Sequence, residues 1–149
     1  MSEQDDRAAV DTNVLGWLLQ DRDDERTNSY RALIGPRRIV VPFQVVAEIR
    51  FGMMRARWGE LRVRRTERAL AELLVAQPDD LTLTTYARLR DWAVAQGHPI
   101  GAKSHDGDRW IAAVAVRADH PLVTHDSVFQ EVDGLRVLTV LGAEEPGAR

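Results

Sequence analysis

AAVDTN, residues 8–13, is the stretch from which the fold of this chain can be predicted. Ala8, Ala9 and Val10 form a short apolar run, which is typical of a buried strand. Asp11-Thr12-Asn13 follows directly and favours the start of a helix, because side chains of these types cap the free N–H groups of a first helical turn. A buried strand that leads straight into a helix indicates an α/β fold.

The rest of the sequence continues this alternation of strand and helix. Further strands are predicted at 38–41, 80–83, 121–124 and 135–140. Helices are predicted around 15–19 and at about 24–34, 42–55, 59–76, 84–96 and 108–119, with a loop at 97–107. Alternating elements with nearly continuous apolar strands predict a parallel sheet covered by helices on both faces. We therefore expect a three-layer α/β sandwich with four to five parallel strands.

Length and composition are those of one globular domain. The chain has 149 residues, of which 44% are apolar and 29% charged, so one core over about residues 7–140 is expected. The polar ends, 1–7 and 142–149, are predicted to lack regular structure. No apolar run approaches the roughly 20 residues that cross a bilayer, and the first residues lack the apolar stretch of a signal peptide. The expected location is the cytoplasm, with no membrane partner.

Residue types restrict any metal site to oxygen ligands, since the chain has no cysteine and only four scattered histidines. Asp11 and Asp126 each follow a predicted strand, at the sheet edge where open α/β sheets bind ligands. If these strands are neighbours, the two carboxylates share one rim. A helix cap at Asp11 and a simple turn at Asp126 are the structural alternatives.

Two further acids lie on predicted helices, close to apolar stripes. Glu48 has Val45 and Ile49 beside it, and no cation stands three or four positions away to form an ion pair within the helix. Asp108 lies on the line of Ile111, although the helix dipole would also stabilise a carboxylate in this first turn. Asp106 competes with Asp108 for a functional role, but its helix line is less apolar, which favours a cap or a supporting position.

A pocket of carboxylates suits Mg²⁺ or Mn²⁺, which prefer oxygen ligands and keep several waters. Such an ion can activate water and stabilise the leaving oxygen of a phosphodiester. Since the acids themselves repel phosphate, cleavage of a nucleic acid in this pocket would require the metal.

Four segments resemble the motifs of the PIN-domain ribonucleases, and among them the toxin halves of bacterial VapBC toxin–antitoxin pairs. They are Val10–Val14, Val45–Gly52, Asp108–Ala113 and Leu122–Asp126. Each segment is short, but together they occur in the right order and spacing between about Arg7 and Leu138. This joint agreement makes the resemblance specific.

The resemblance implies a PIN-like sheet, an RNA substrate, a Mg²⁺ or Mn²⁺ site, a homodimer and a cognate antitoxin that blocks the site. The catalytic, metal-binding acids that it implies are Asp11, Glu48, Asp108 and Asp126. The residues that would support this pocket are Thr12, Asn13 and Thr124. The match at Asp126 is the least specific, because relatives often carry another polar residue there.

A basic and apolar stretch offers a surface for these partners, although the net charge of the chain is −3. Seven arginines and two acids lie between Arg50 and Arg68, interspersed with apolar residues. Trp58, at a predicted helix break, is the expected exposed anchor. Contacts with RNA phosphates or an acidic antitoxin segment are expected from Arg50, Arg55, Arg62, Arg64 and Arg65. A solvated helix face and ordinary core packing are the alternatives.

Rival functions differ at single residues. A haloacid-dehalogenase-type phosphatase would need a second Asp at the position of Asn13. A receiver domain uses a lysine near its acidic pocket, and the one lysine here is Lys103, in a predicted loop. A non-catalytic PIN-like binding module and a DNA-directed nuclease both remain open.

Overall fold

Residues 6–142 are described by the computed structural model, and they confirm the predicted parallel sheet flanked by helices. The strands are β1 (Arg7–Val10), β2 (Arg38–Pro42), β3 (Leu74–Ala76), β4 (Leu122–Val123) and β5 (Val137–Leu138). The helices are α1 (Thr12–Leu19), α2 (Glu25–Ile34), α3 (Phe43–Arg55), α4 (Glu60–Ala71), α5 (Asp80–Gln96) and α6 (Asp106–Ala118). The predicted unstructured ends lie mostly outside the described residues, except that Arg7 begins β1.

All strand pairs are parallel, and their order across the sheet is β3-β2-β1-β4-β5. The chain therefore builds outward from β1 in one direction and then crosses over to place β4 on the other side of β1. Ligands bind at such a switch point, beyond the carboxyl ends of the strands. The amide of Asp11 donates to the carbonyl of Val123 at 3.1 Å, so the β1–β4 pairing continues up to this edge.

The third strand is not where the sequence pattern placed it. The predicted strand at 80–83 is wrong, because these residues form the first turn of α5. Asp79 and Thr82 form a reciprocal capping box there, which fixes the helix start. Leu81 and Leu83 are 56% and 51% exposed, so their alternation does not reflect burial. The actual strand, β3, lies in residues that the sequence assigned to the end of the preceding helix.

Smaller differences concern the ends of elements. The helix predicted from 108 begins two residues earlier, at Asp106. The loop at 97–107 contains two short 3₁₀ turns, Pro99–Gly101 and Lys103–His105. The last strand is only Val137–Leu138 instead of 135–140. No helix in residues 6–142 is long and apolar enough to cross a membrane.

A buried arginine connects the loop at 97–105 to α6. Arg109 is 1% exposed, and its guanidinium donates to the carbonyls of Ile100 at 2.8 Å and Ala102 at 2.6 Å. It also forms an ion pair of 3.1 Å with Asp106. A buried charge is tolerated when it is paired and hydrogen-bonded in this way. Arg109 thus fixes the loop against the first turn of α6, which carries Asp108.

Arg109→Met should destabilise the protein strongly. The change leaves two buried carbonyls without this donor and removes the charged partner of Asp106, so we expect the free energy of unfolding to fall by about 2–5 kcal/mol. Arg117→Met, on the same helix, is the matched control. Its ion pair with Asp79 is 2.8 Å long but partly exposed, and we expect a loss of about 0–1 kcal/mol. Denaturant unfolding followed by circular dichroism measures both, and equal losses would contradict this role of Arg109.

Candidate metal centre

The four acids predicted from the sequence line one open cavity of about 320 Å³ at the carboxyl ends of β1 and β4. Asp11 follows β1, Glu48 lies on α3, Asp108 lies on α6 and Asp126 follows β4. The other lining residues are Thr12, Asn13, Phe51 and Ile111. The structure therefore brings together four carboxylates that come from four separate parts of the chain.

Asp11 is the most buried of these acids, with 4% of its surface exposed. One carboxylate oxygen accepts from the amide of Val14 at 3.1 Å, so the predicted cap of α1 is present. The other accepts from the hydroxyl of Thr124, which is itself fully buried. Asp11 therefore caps α1 and lines the cavity at the same time.

Burial raises the pKa of Asp11 to about 6 from its ordinary value of 3.8. The hydrogen bonds from Thr124 and Val14 act against this increase, because they stabilise the charged form. The negative charges of Asp126 and Asp108 act in the same direction as burial. The neighbouring acids therefore influence one another electrostatically.

Glu48 is half-buried and has hydrogen-bond partners from two helices. The hydroxyl of Thr12, on α1, donates to one carboxylate oxygen. The amide of Gln44, one turn earlier on α3, donates to the other at 3.3 Å. No ion pair within the helix involves Glu48, in agreement with the sequence pattern, but the polar contact from Gln44 was not anticipated.

Gly107 contributes to the packing of the site in a way that the sequence analysis did not identify. A Cβ at this position would stand 2.7 Å from Oε1 of Glu48 and 2.9 Å from Nε2 of Gln44, closer than real Cβ contacts come. A larger residue here would therefore displace the Glu48 carboxylate and the Gln44 amide from their present positions. A glycine between two acids at a helix start is a weak signal that could have indicated this packing.

Asp108 has a hydrogen-bond partner that the sequence analysis missed, the imidazole of His105. Nδ1 of His105 lies 2.7 Å from Oδ2 of Asp108. The pKa of Asp108 is raised mainly by burial, against the effect of the His105 hydrogen bond. The charges of Asp126 and Glu48 raise it further. Neighbouring carboxylates therefore act on Asp108 as they do on Asp11.

Asp126 and Asp106 have different surroundings. Asp126 caps the short 3₁₀ turn that follows β4, accepting from the amide of Val128 at 2.9 Å, and it also lines the acid cavity. Its own amide donates to the hydroxyl of Thr124 at 3.0 Å. Asp106 does not line the cavity. Its carboxylate accepts from the hydroxyl of Tyr86 and from Arg109, so its position is explained by the fold.

The chemistry of the lining residues fits a divalent cation. Within the described part of the chain, no lysine or arginine side chain lines the acid cavity to balance its carboxylates. A buried carboxylate such as Asp11 needs a compensating charge, and hard cations take oxygen ligands. Between residues 6 and 142, however, no three acidic or histidine side chains are already arranged as a metal-binding group. The carboxylates would have to move inward to share an ion.

The basic stretch at α3 and α4 is only partly neutralised. Arg50 pairs with Glu67 at 2.9 Å and Arg64 pairs with Glu60. The guanidinium of Arg62 lies 3.5 Å above the ring of Trp58, which is half-buried and thus less exposed than expected. The large apolar side chains exposed here are Phe51, Met54 and Leu61, at 64%, 75% and 63%. Arg55 and Arg65 have no ion pair within residues 6–142.

The metal-free protein should lose stability as Asp11 ionises. Because the pKa of Asp11 is about 6 in the fold and 3.8 ordinarily, the stability that its protonated form contributes is fully present below pH 3.8 and is lost as the pH rises through 6. In EDTA, we expect Asp11→Asn to gain about 2–3 kcal/mol relative to wild type between pH 4 and pH 8. Urea unfolding at both pH values measures this gain. A difference between the two proteins that does not change with pH would contradict the burial of an ionisable Asp11.

Comparisons with known proteins agree with this fold. The PIN domain model matches residues 8–135. Ribonuclease VapC1 from Haemophilus influenzae (strain R2866) is 27% identical over 128 residues, covering 85% of this chain and 92% of the relative. Ribonuclease VapC5 from Mycobacterium tuberculosis (strain ATCC 25618 / H37Rv) is 29% identical over 108 residues, covering 71% and 77%. A crystal structure of VapBC-5, a toxin–antitoxin system from Mycobacterium tuberculosis, superposes with a TM-score of 0.69 at 26% identity, covering 90% of this chain and 98% of the other. Since the family model spans most of the sequence, the chain belongs to the PIN domain family.

Proposed function

We propose that this protein is a metal-dependent endoribonuclease that hydrolyses RNA phosphodiester bonds and acts as the toxin of a type II toxin–antitoxin pair. The observation that supports this most is the single cavity shared by Asp11, Glu48, Asp108 and Asp126, whose lining among residues 6–142 includes no lysine or arginine. Family membership and the ribonuclease names of its relatives support RNA as the substrate.

Mg²⁺ or Mn²⁺ is the proposed cofactor, and the four acids of the cavity would hold it. When bound, such an ion supplies Lewis-acid activation of water and neutralises charge at the phosphate. The uncompensated Asp11 supports this assignment, because a cation would stabilise its charged form and lower its pKa. Metal-free protein, in contrast, presents four carboxylates that repel a phosphodiester.

The neighbouring residues orient these acids. Thr124 donates to Asp11 and accepts from the amide of Asp126, so one hydroxyl fixes the ends of both β1 and β4. Thr12 holds Glu48 from α1, and His105 holds Asp108 from the preceding turn. Asn13 lines the cavity at its exposed rim, where a substrate oxygen can reach its amide. Because these hydrogen bonds already orient the carboxylates, the site needs less rearrangement when charge develops on the phosphate in the transition state.

An antitoxin is the proposed protein partner, supported by the toxin–antitoxin neighbour and by the surface next to the site. A groove of about 240 Å³ leads from Thr12 and Glu48, between α1 and α3, to Trp58. Ile49 and Met53 are among the apolar residues that line it, and Arg55 on α3 and Arg65 on α4 have no ion pair within residues 6–142. An antitoxin segment with apolar and acidic residues would fit this surface. The homodimer implied by the resemblance stays a prediction.

Cleavage of RNA should require the metal and the acids. We expect purified wild type to cleave a mixed pool of single-stranded RNA when Mg²⁺ or Mn²⁺ is present in excess. Excess EDTA should abolish this cleavage. Asp11→Asn and Asp108→Asn should each reduce the rate roughly 100-fold or more, because the transition-state charge loses its support. Gel or mass-spectrometric mapping of the products gives the rates.

Two control variants make this test specific. Asp91→Asn changes an exposed acid on α5, far from the cavity lining, and should keep the wild-type rate. Asp126→Asn should reduce the rate more than Asp106→Asn, since only Asp126 lines the cavity. Equal cleavage by wild type and Asp11→Asn would contradict the proposed site. Cleavage of DNA alone would indicate a DNA-directed nuclease, and metal-loaded protein that binds RNA without cutting it would indicate a binding module.

A further inference from the structure

Phe51 differs from the other aromatic residues of this chain in its exposure and in its ring contacts. The four Trp, two Tyr and three Phe residues all lie within residues 6–142. Seven of them pack against another ring or a guanidinium: Trp17, Tyr30, Phe43, Trp58, Tyr86, Trp92 and Trp110. Phe129 is 1% exposed and belongs to the core. Phe51 is 64% exposed, and no ring or guanidinium among the described residues stacks on it.

The position of Phe51 connects it to the acid cavity. It lines this cavity together with the four carboxylates, and it follows Glu48 by three residues on α3. Arg55 follows Phe51 by four residues and has no ion pair within residues 6–142. Residues at such spacings share one face of a helix. The carboxylate of Glu48, the ring of Phe51 and the guanidinium of Arg55 therefore follow one another on one face of α3, over about 10 Å.

Gly52, the next residue on α3, gives a second observation. It lines the groove that runs from Thr12 and Glu48 towards Trp58, whereas Phe51 lines the acid cavity. A Cβ added at Gly52 would meet nothing within 4 Å, so packing inside the protein does not require glycine, although glycine destabilises the middle of a helix relative to alanine. A ligand that continues from the acid cavity along the α3 backbone would benefit from the missing side chain.

We propose that Phe51 is a stacking platform for a nucleobase of single-stranded RNA, next to the phosphate that enters the acid cavity. This inference rests on the proposed ribonuclease function. Bases of any type can stack on an aromatic ring, which favours unpaired RNA over a duplex whose base faces are already covered. Arg55 is placed to contact a neighbouring phosphate of the same strand.

Steady-state cleavage of a single-stranded RNA library, labelled with a fluorophore and a quencher, tests this with Mg²⁺ present. Phe51→Leu keeps an apolar side chain but removes the ring, and we expect it to raise KM roughly 5- to 100-fold while kcat stays within about twofold. Phe51→Trp should keep the wild-type KM. Leu61→Ala, an equally exposed apolar position on α4 outside the cavity lining, is the control and should change nothing.

Gly52→Ala extends the test in a way that misfolding cannot imitate. It should raise the Tm, since alanine is the better helix former, and at the same time raise KM. A duplex of the library sequences should be cut far more slowly than the single strands.

The possible failures can be told apart. An active wild type with unchanged KM in Phe51→Leu overturns the stacking inference and leaves the ribonuclease proposal intact. If the wild type does not cut RNA, the ribonuclease proposal is overturned, and the inference that Phe51 stacks on an RNA base is overturned with it. If Phe51→Leu keeps the KM for RNA but loses affinity for a purified antitoxin, the ring belongs to a protein interface, and the inference is wrong.

Discussion

Burial of the Asp11 carboxylate between β1 and β4 is the constraint on which the rest of the site depends. The crossover that places β4 beside β1 brings Asp11 and Thr124 to the same edge, where the hydroxyl of Thr124 contacts both Asp11 and the amide of Asp126. Burial raises the pKa of Asp11, because water is replaced by protein. No lysine or arginine among residues 6–142 lines the cavity opposite this carboxylate. The fold thus holds a charge that it does not itself neutralise.

The other acids increase this imbalance. The charges of Asp108 and Asp126 raise the pKa of Asp11, and those of Glu48 and Asp126 raise the pKa of Asp108, so Asp11 and Asp108 are both harder to ionise. Contacts elsewhere hold the acids in place: Arg109 fixes the loop before α6, and Gly107 leaves room for the Glu48 carboxylate. A protein that stabilises such a cluster by its surroundings, and leaves it open to solvent, is suited to a cation and an anionic substrate.

Much of this could be predicted from the sequence, because β1, β2 and β4 are short apolar runs, and β1 and β4 lead directly into polar residues. The positions of Asp11 and Asp126 at one edge follow from parallel strands alone. β3 could not be identified, since Leu74–Ala76 continues an apolar helix pattern and the alternation of Leu81, Thr82 and Leu83 resembles a strand. The roles of Arg109 and Gly107 depend on contacts with a distant loop and helix, which local pattern does not contain.

The central claim is that the four carboxylates bind one metal centre, and diffraction from crystals grown with Mn²⁺ tests it most directly. Anomalous scattering locates manganese independently of any assumption about the site. The account predicts an anomalous peak inside the acid cavity, coordinated by Asp11 and Asp108, that is absent from crystals of Asp11→Asn. A peak elsewhere on the molecule, or an empty cavity at saturating Mn²⁺, would contradict it.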